Sequence, residues 1–323
     1  MDLAKLEEAL KAHKTNISAT TVKFYLSTFK NIVKRSGVTF NYNKSFFKDH
    51  QQELLNYVHT LDNLQTKKNV LAVVIVFYKA YGGSPDDCKP YTSEILKITD
   101  VLDKNNAEHK KSEKQQANMI SLEKIKDEVI PYLRDKVPAI KHTQNYQDYI
   151  NFMKYYLLLF YVTRQAPLRN DWAEMKLIKD HEGELSNDFN YIIYNSKNKT
   201  VSIILNQYKT AKTHGQINIK IDDKEIIQLT KRLCDILPKF SDDGFILVKH
   251  DKKGMSDNSV TKFFNSIFKH WGYEISTTML RHIVISDSPL YDKQQLEEQK
   301  EREDLAERMG HSVGTAFKQY VKE

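Results

Sequence analysis

The sequence has little of what builds disulfide-rich, turn-dense or membrane-spanning proteins. Its two cysteines, Cys88 and Cys234, cannot form a disulfide framework and lack metal-ligand spacing, so we expect each to be a small buried side chain in a reducing compartment. Ten glycines and seven prolines among 323 residues favour helices over a turn-rich β architecture. The longest apolar run, residues 155–162, is too short to cross a bilayer and predicts a buried helix segment.

Motifs for several kinds of chemistry are absent as well. The chain has no glycine-rich phosphate loop, no HExxH pattern and no cysteine–histidine cluster, so nothing in it calls for ATP, a metal or another cofactor. The charged opening MDLAKLEEALKAHK has no apolar segment, and we expect an intracellular protein without a secretory signal.

What the chain does contain indicates a folded, basic protein. Hydrophobic residues make up 40% and aromatic residues 11%, which fits a packed core, and the length allows two domains. The net charge is +7 and the pI about 9.0. An excess of positive charge favours an anionic partner, nucleic acid above all.

Residues 1–102 predict a helical, DNA-binding domain. In TTVKFYLSTFKNIVKRSG the apolar residues keep i, i+3, i+4, i+7 spacing, and Gly37 is the expected C-cap. More helices are predicted at 53–61, 64–81 and 93–102. In the TTVKFYLSTFKNIVKRSG helix, the face opposite the apolar residues carries candidate DNA contacts, namely Lys23, Lys30, Lys34 and Arg35.

Residues 103–119 are polar and lysine-rich, which predicts an interdomain linker with Lys110 and Lys111 as further DNA contacts. Residues 120–323 predict a second domain with helices around three β-prone runs, 190–196, 200–208 and 216–221, and this domain contains the candidate catalytic residues. The fold class is therefore mainly α with a small antiparallel sheet, or α+β. The predicted helices of this domain are 122–135, 147–163, 224–237, 259–271, 278–288, 294–308 and 313–320.

Four places in the second domain contain candidate catalytic residues. They are Arg169 after Pro-Leu, Lys209 and Lys212 between the last two β-prone runs, Arg281 and His282 in an apolar helix, and His311 followed nine residues later by Tyr320. Such residues suit attack on a phosphodiester. Arginines can clamp the non-bridging oxygens, a lysine can protonate a departing oxygen, a histidine can hydrogen-bond the phosphate, and a tyrosine can be the nucleophile.

These residues resemble the motifs of the tyrosine recombinases, the phage-integrase-type site-specific DNA recombinases. The resemblance runs from about residue 122 onward, and the helical first domain is similar to the family's core-binding domain. The most specific match is Met-Gly-His311-Ser with Tyr320, which is similar to the family's LGHS…Y ending. The other matches are Leu168-Arg169 to the first arginine box, Tyr208-Lys209-Thr210 to the hairpin lysine, and Leu280-Arg281-His282 to the second arginine box.

The resemblance implies a role for each residue. Tyr320 would be the nucleophile that forms a 3′-phosphotyrosyl bond and releases a 5′ hydroxyl. Arg169 and Arg281 would clamp the phosphate, Lys209 would be the general acid, and His311 would be a supporting phosphate ligand. It also implies cleavage without metal or ATP, a clamp around double-stranded DNA, assembly to a tetramer on DNA, and no membrane partner.

The chain departs from the family pattern in three ways. Thr278 stands where the family usually has a histidine, three residues before Arg281; as a possible supporting residue it can donate a hydrogen bond to phosphate, but it cannot shuttle protons near neutrality. His282 points elsewhere on the helix and is expected to pack. Trp172 stands where an acid is common, with Asp171 one position earlier as a displaced buttress. The stretch from Arg281 to His311 is also longer than expected, through a charged insertion.

Alternatives remain open at this stage. A type IB topoisomerase would share the same catalytic residues, and Thr278 also suits a DNA-binding protein of this fold with impaired catalysis. Lys212 could replace Lys209 as general acid, although Lys209 is favoured. The composition suggests a viral or mobile-element recombinase, located wherever its target DNA is: the nucleus or a viral factory, or the cytoplasm of a prokaryote.

Overall fold

The computed structural model describes residues 2–108, 110–137 and 145–288, together with the isolated positions 298 and 301. The chain divides into two compact units, with the division between Lys111 and Ser112. Apart from those two isolated positions, the predicted helices 294–308 and 313–320 lie outside the described residues. His311 and Tyr320 are therefore among the residues that the structure does not describe.

The described part of the first unit is helical, as its sequence predicts. Ser18 caps the second helix by accepting the amide of Thr21 at 3.2 Å, and Gly37 ends that helix with a left-handed φ of 73°. A stacked ring pair, Phe29 and Phe77, lies in the core with centroids 4.4 Å apart. The helices are α1 (Leu3–His13), α2 (Ala19–Ser36), α3 (Ser45–Asp49), α4 (Gln51–His59), α5 (Leu64–Ala80) and α6 (Lys89–Ala107).

The predicted linker is largely helical. Helix α6 continues to Ala107, beyond the predicted end at residue 102, and α7 (Glu113–Asn118) occupies half of the remaining residues, 108–119. Ser112 and Gln115 form a reciprocal capping box that starts α7. The division between the two compact units falls inside this stretch, and local capping stabilises a short polar helix directly after it.

The second unit packs its helices against one sheet. Its elements are α8 (Leu122–Lys124), a π-helical turn Ile125–Val129, α9 (Ile130–Asp135), α10 (Tyr146–Val162), β1 (Lys176–Lys179), β2 (Tyr191–Asn195), β3 (Thr200–Leu205), α11 (Ala211–His214), β4 (Ile217–Ile221), α12 (Lys224–Ile236), α13 (Asp257–Phe268) and α14 (Thr277–Ser286). Helix α10 is the centre of the core, and all of residues 155–162 are buried. The prediction of a buried helix from that apolar run is confirmed.

The sheet has four strands in the order β1-β2-β3-β4. Strands β2, β3 and β4 form the predicted antiparallel meander, whereas β1 adds to β2 in parallel and was not predicted. The sheet is therefore mixed rather than purely antiparallel, and the α+β class is confirmed. Within the described residues no helix is long and apolar enough to cross a membrane.

Candidate active site

The chain that leaves α10 makes a tight turn that presents the first predicted arginine. We call residues 167–172 the arginine turn. Its end is a 3-10 helix, Asn170–Trp172, and Arg169 precedes this helix with an exposed side chain. The amide of Arg169 donates to the Asp171 carboxylate at 3.0 Å. The carboxylate thus fixes the backbone of the arginine rather than capturing its side chain.

Three side chains from elsewhere in the unit hold the carbonyl groups of the arginine turn. Tyr161 of α10 donates its hydroxyl to the carbonyl of residue 168 at 2.6 Å. Arg281 of α14 donates Nη1 to the carbonyl of residue 167 at 3.0 Å. Asn190, just before β2, donates Nδ2 to the carbonyl of residue 171 at 3.0 Å. Because buried donors and acceptors are costly to leave unpaired, these bonds set the position of the turn.

Asn170 connects the arginine turn to the helices that follow. Its Oδ1 accepts the hydroxyl of Thr277, the first residue of α14, at 2.8 Å, and its Nδ2 donates to Thr261 of α13 at 3.0 Å. Thr277 is only 1% exposed. This contact joins the helix of Arg281 to the turn of Arg169 and so fixes the two arginine segments relative to each other.

Arg169 and Arg281 lie close enough to influence each other electrostatically, although over a hundred residues separate them in the chain. Burial lowers the pKa of Arg281, and the charge of Arg169 lowers it further, whereas Asp171 acts in the opposite direction. Neither arginine forms an ion pair with a carboxylate of the described residues, unlike Arg164, which pairs with Asp287 at 2.9 Å. Two neighbouring guanidinium groups without a carboxylate partner are chemically suited to binding an anion.

Trp172 occupies a buried position, which suits an aromatic ring better than an acidic side chain. The ring is fully buried, and its Nε1 donates to the hydroxyl of Tyr161 at 2.9 Å. That same hydroxyl holds the arginine turn, and burial raises the pKa of Tyr161 well above its usual range. Trp172 therefore supports the turn by packing, while Asp171, one residue earlier, supplies the nearby negative charge.

The carboxyl group of Asp171 is expected to make the stability of the protein depend on pH. Burial raises its pKa, an effect that the Arg169 amide and both arginine charges oppose. A raised folded pKa means that the contribution of Asp171 to stability is greatest below the ordinary value of 3.8 and falls as the pH rises through the folded value. We expect Asp171→Asn, which keeps an acceptor for the Arg169 amide, to raise Tm by a few degrees at neutral pH.

Thermal melts of both proteins across acid and neutral pH measure this effect. The advantage of Asp171→Asn should vanish below pH 3.8, where the wild-type carboxyl is itself neutral. A variant that melts lower than wild type at neutral pH would show that attraction to the two arginines outweighs the cost of burying the carboxylate.

The predicted general acids lie between β3 and β4. Lys209 is exposed in a turn four residues after the end of β3, and Lys212 is exposed on the short helix α11 at the tip of this hairpin. The Tyr208 hydroxyl donates to the carbonyl of Gly215 at 2.7 Å and closes the base of the tip. The tip helix was not predicted, and it separates the two lysines into different local structures.

Two of the predicted supporting residues lie on α14. Thr278 is exposed one turn before Arg281 on the same side of the helix. His282 is exposed as well, so the packing role expected for it is wrong: the position after Arg281 points away from the core. Within the described residues no cluster of three or more histidine, cysteine or acidic side chains could hold a metal ion.

The predicted DNA contacts on α2 lie on the exposed side of that helix. All four cations of α2 that the sequence singles out are exposed, and the helix contains no acid. Phe24 lies among them and is 46% exposed. In the predicted linker Lys110 pairs with Glu108, and Lys111 is exposed. We call the exposed side of α2 the basic face, formed by Lys23, Phe24, Lys30, Lys34 and Arg35.

Four residues of the site were missed at the sequence level, namely Tyr161, Asn170, Asn190 and Thr277. Asn170 and Thr277 flank predicted residues, and that adjacency was the one available signal. Asn190 is far from every predicted site residue in the chain, and its role depends on contacts that only the fold creates.

Comparison with known proteins gives little. No model of a known protein family matches the chain, and no curated protein matches it either. Among solved structures, a crystal structure of XerA recombinase is similar with a TM-score of 0.32 and 11% sequence identity, over 88% of this chain and 82% of that one. This similarity is weak.

Proposed function

We propose that the protein is a site-specific DNA recombinase or integrase that cuts and rejoins double-stranded DNA through a 3′-phosphotyrosyl intermediate. Tyr320 is the nucleophile. Arg169 and Arg281 hold the non-bridging oxygens of the phosphate, Lys209 is the general acid, and His311 is a supporting phosphate ligand.

The chemistry conserves the energy of the broken bond. The phenolic oxygen of Tyr320 forms a bond to phosphorus as its proton passes to water, and the bond from phosphorus to the 5′ oxygen breaks. The proton of Lys209 moves to that oxygen and yields a 5′ hydroxyl. The reverse reaction, with a 5′ hydroxyl of the same or another strand, rejoins DNA. Exchange between two sites needs an assembly of subunits, proposed to be a tetramer.

The observation that carries this proposal is the arginine pair. Arg169 and Arg281 come together from distant segments, on a turn held by Tyr161, Asn190 and Asn170. A pentavalent phosphorane carries extra negative charge on its equatorial oxygens, and preorganised guanidinium groups stabilise that charge. An arginine pair needed only for folding would be expected to have carboxylate partners.

The basic face of α2 is an argument for duplex DNA as the partner. Backbone phosphates bind lysine and arginine in a salt-dependent way, since each contact releases counterions. Lys34 and Arg35 also lie in the last turn of the helix, where cations stabilise the helix dipole. Lys23 and Lys30 lie outside that turn and have no such structural role.

A charge-removal experiment tests the basic face. We expect Lys23→Ala/Lys30→Ala/Lys34→Ala to weaken binding to all duplexes and to reduce the slope of log affinity against log salt by about 0.9 per lost contact. Fluorescence anisotropy across a salt series measures it. The matched control is Lys11→Ala/Lys89→Ala/Lys97→Ala, which removes the same charge from lysines already paired with neighbouring carboxylates. Equal slopes for both triple variants would contradict a phosphate-binding role for this face.

Covalent trapping tests the enzyme itself. A duplex nicked just beyond the cleavage site loses its short 5′-hydroxyl fragment, so rejoining fails and the adduct accumulates. We expect wild type to form this adduct in the presence of EDTA, and Tyr320→Phe, which lacks only the nucleophilic oxygen, to form none. Gel electrophoresis under denaturing conditions detects the adduct.

The other outcomes separate the alternatives. Relaxation of supercoiled DNA by dilute protein without site preference would indicate a type IB topoisomerase. Salt-sensitive DNA binding without any adduct, even on the DNA that flanks the gene, would indicate a DNA-binding protein that does not cleave.

A further inference from the structure

A buried asparagine side chain lies between the arginine turn and the hairpin of Lys209. Asn190, just before β2, is 3% exposed and is one of few buried polar side chains in the described residues. Its Nδ2 donates to the carbonyl of Asp171 at 3.0 Å and to that of Gln207 at 2.8 Å. Its Oδ1 accepts the amides of Asn206 at 2.9 Å and Gln207 at 2.8 Å. The amide thus uses both of its donor hydrogens and both acceptor lone pairs.

The two sides of this amide belong to different parts of the candidate site. Asp171 is two residues after Arg169, and Gln207 is two residues before Lys209. Three of the four bonds fix the backbone at the end of β3, and the fourth fixes the arginine turn. One side chain therefore links the segment of a phosphate clamp to the segment of a candidate general acid.

We infer that Asn190 is a positioning residue that holds Lys209 in place relative to the phosphate bound by Arg169. This inference rests on the proposed function. A general acid must lie within hydrogen-bond reach of the leaving oxygen while the clamp holds the other oxygens of the same phosphate. A buried, fully satisfied amide is rigid enough to fix that distance. Lys209 touches the reacting atoms, whereas Asn190 acts through it.

The anchoring also distinguishes the two lysines. Gln207 is fixed by Asn190, and Tyr208 is fixed by its hydroxyl bond to Gly215. Lys209 directly follows these two anchored residues, whereas Lys212 lies on the tip helix beyond them. The structure that Asn190 stabilises is therefore the backbone next to Lys209.

Two substrates distinguish a misplaced general acid from other defects in DNA cleavage. One is a nicked duplex with an ordinary phosphodiester at the cleavage site, and the other has sulfur in place of the 5′ bridging oxygen. A thiolate leaves without protonation, so the sulfur substrate does not need the general acid. We expect Asn190→Ala to slow adduct formation on the oxygen substrate by about 10- to 100-fold, and to slow the sulfur substrate much less, because the arginine turn keeps its bonds from Tyr161 and Arg281.

Two control variants test whether the effect is specific to Asn190. Asn195→Ala removes an asparagine from the other end of β2, where its side chain only caps a turn by accepting the amide of Asn198, and should leave both rates unchanged. Arg169→Ala should slow both substrates. If Asn190→Ala does not fold, Asn190→Asp keeps the acceptor side of the amide, loses both donors, and should show the same rescue by sulfur.

Equal slowing of both substrates by the Asn190 variants would overturn the inference, because the defect would then not concern protonation. No adduct from wild-type protein on either substrate would instead contradict the proposed function. The two failures are thus distinguishable in the same experiment.

Discussion

Arg281→Ala is expected to slow DNA cleavage by about 10²- to 10³-fold, because it removes one of the two cations that stabilise the transition state. Its effect on DNA affinity should be much smaller, since many other phosphate contacts hold the duplex. The structure predicts a second consequence: the carbonyl of Pro167 loses its partner, so the position of Arg169 is disturbed as well. The loss in rate should therefore not be additive with that of Arg169→Ala.

Single-turnover adduct formation on a nicked duplex, with anisotropy for affinity, measures this prediction. Arg164→Ala is the matched control, since it removes an arginine that binds the other end of α14 through Asp287. That exposed ion pair is worth about 1 kcal/mol or less, and cleavage should be nearly unchanged. Wild-type rates in Arg281→Ala would mean that the arginine pair has no part in catalysis.

Lys209→Ala is expected to slow cleavage by about 10²- to 10⁴-fold, the range that a lost general acid commonly costs. Lys212→Ala should have little effect, because Lys212 lies on the tip helix rather than next to the anchored end of β3. The two variants remove the same charge from the same hairpin, so each is the control for the other.

Rates on the sulfur-bridged substrate complete the comparison of the two lysines. Lys209→Ala should approach the wild-type rate there, because a thiolate needs no proton. A large loss in Lys212→Ala that sulfur rescues, with Lys209→Ala close to wild type, would assign the general acid to Lys212 instead.

The sequence predicted most of the fold because most elements bury one regular face. Helix α2 and strands β3 and β4 show the expected periodicities of burial. Strand β1 was missed because KLIK is short, has lysines at both ends and packs at the sheet edge without a clear buried face. Helix α1 was not predicted because only two of its 11 residues, Leu6 and Leu10, are buried, so its apolar spacing is weak.

The candidate site was predictable only in part. Arginines in apolar surroundings and a lysine between β-prone runs are unusual enough to notice in a sequence. The residues that bring them together are not, because Asn170, Asn190 and Thr277 resemble ordinary turn or cap residues until their partners are known. His282 shows the opposite error, since an apolar helix suggested packing for a side chain that is exposed.

The most direct test of the proposed function is to identify the covalent bond between protein and DNA. The trapped adduct would be digested with a protease, and the peptide that carries the nucleotide would be sequenced by mass spectrometry. We predict that the 3′ phosphate of the cut strand is attached to the oxygen of Tyr320 and that the released fragment has a free 5′ hydroxyl. Attachment to another residue, attachment through a 5′ phosphate, or no adduct on any duplex would contradict the proposal.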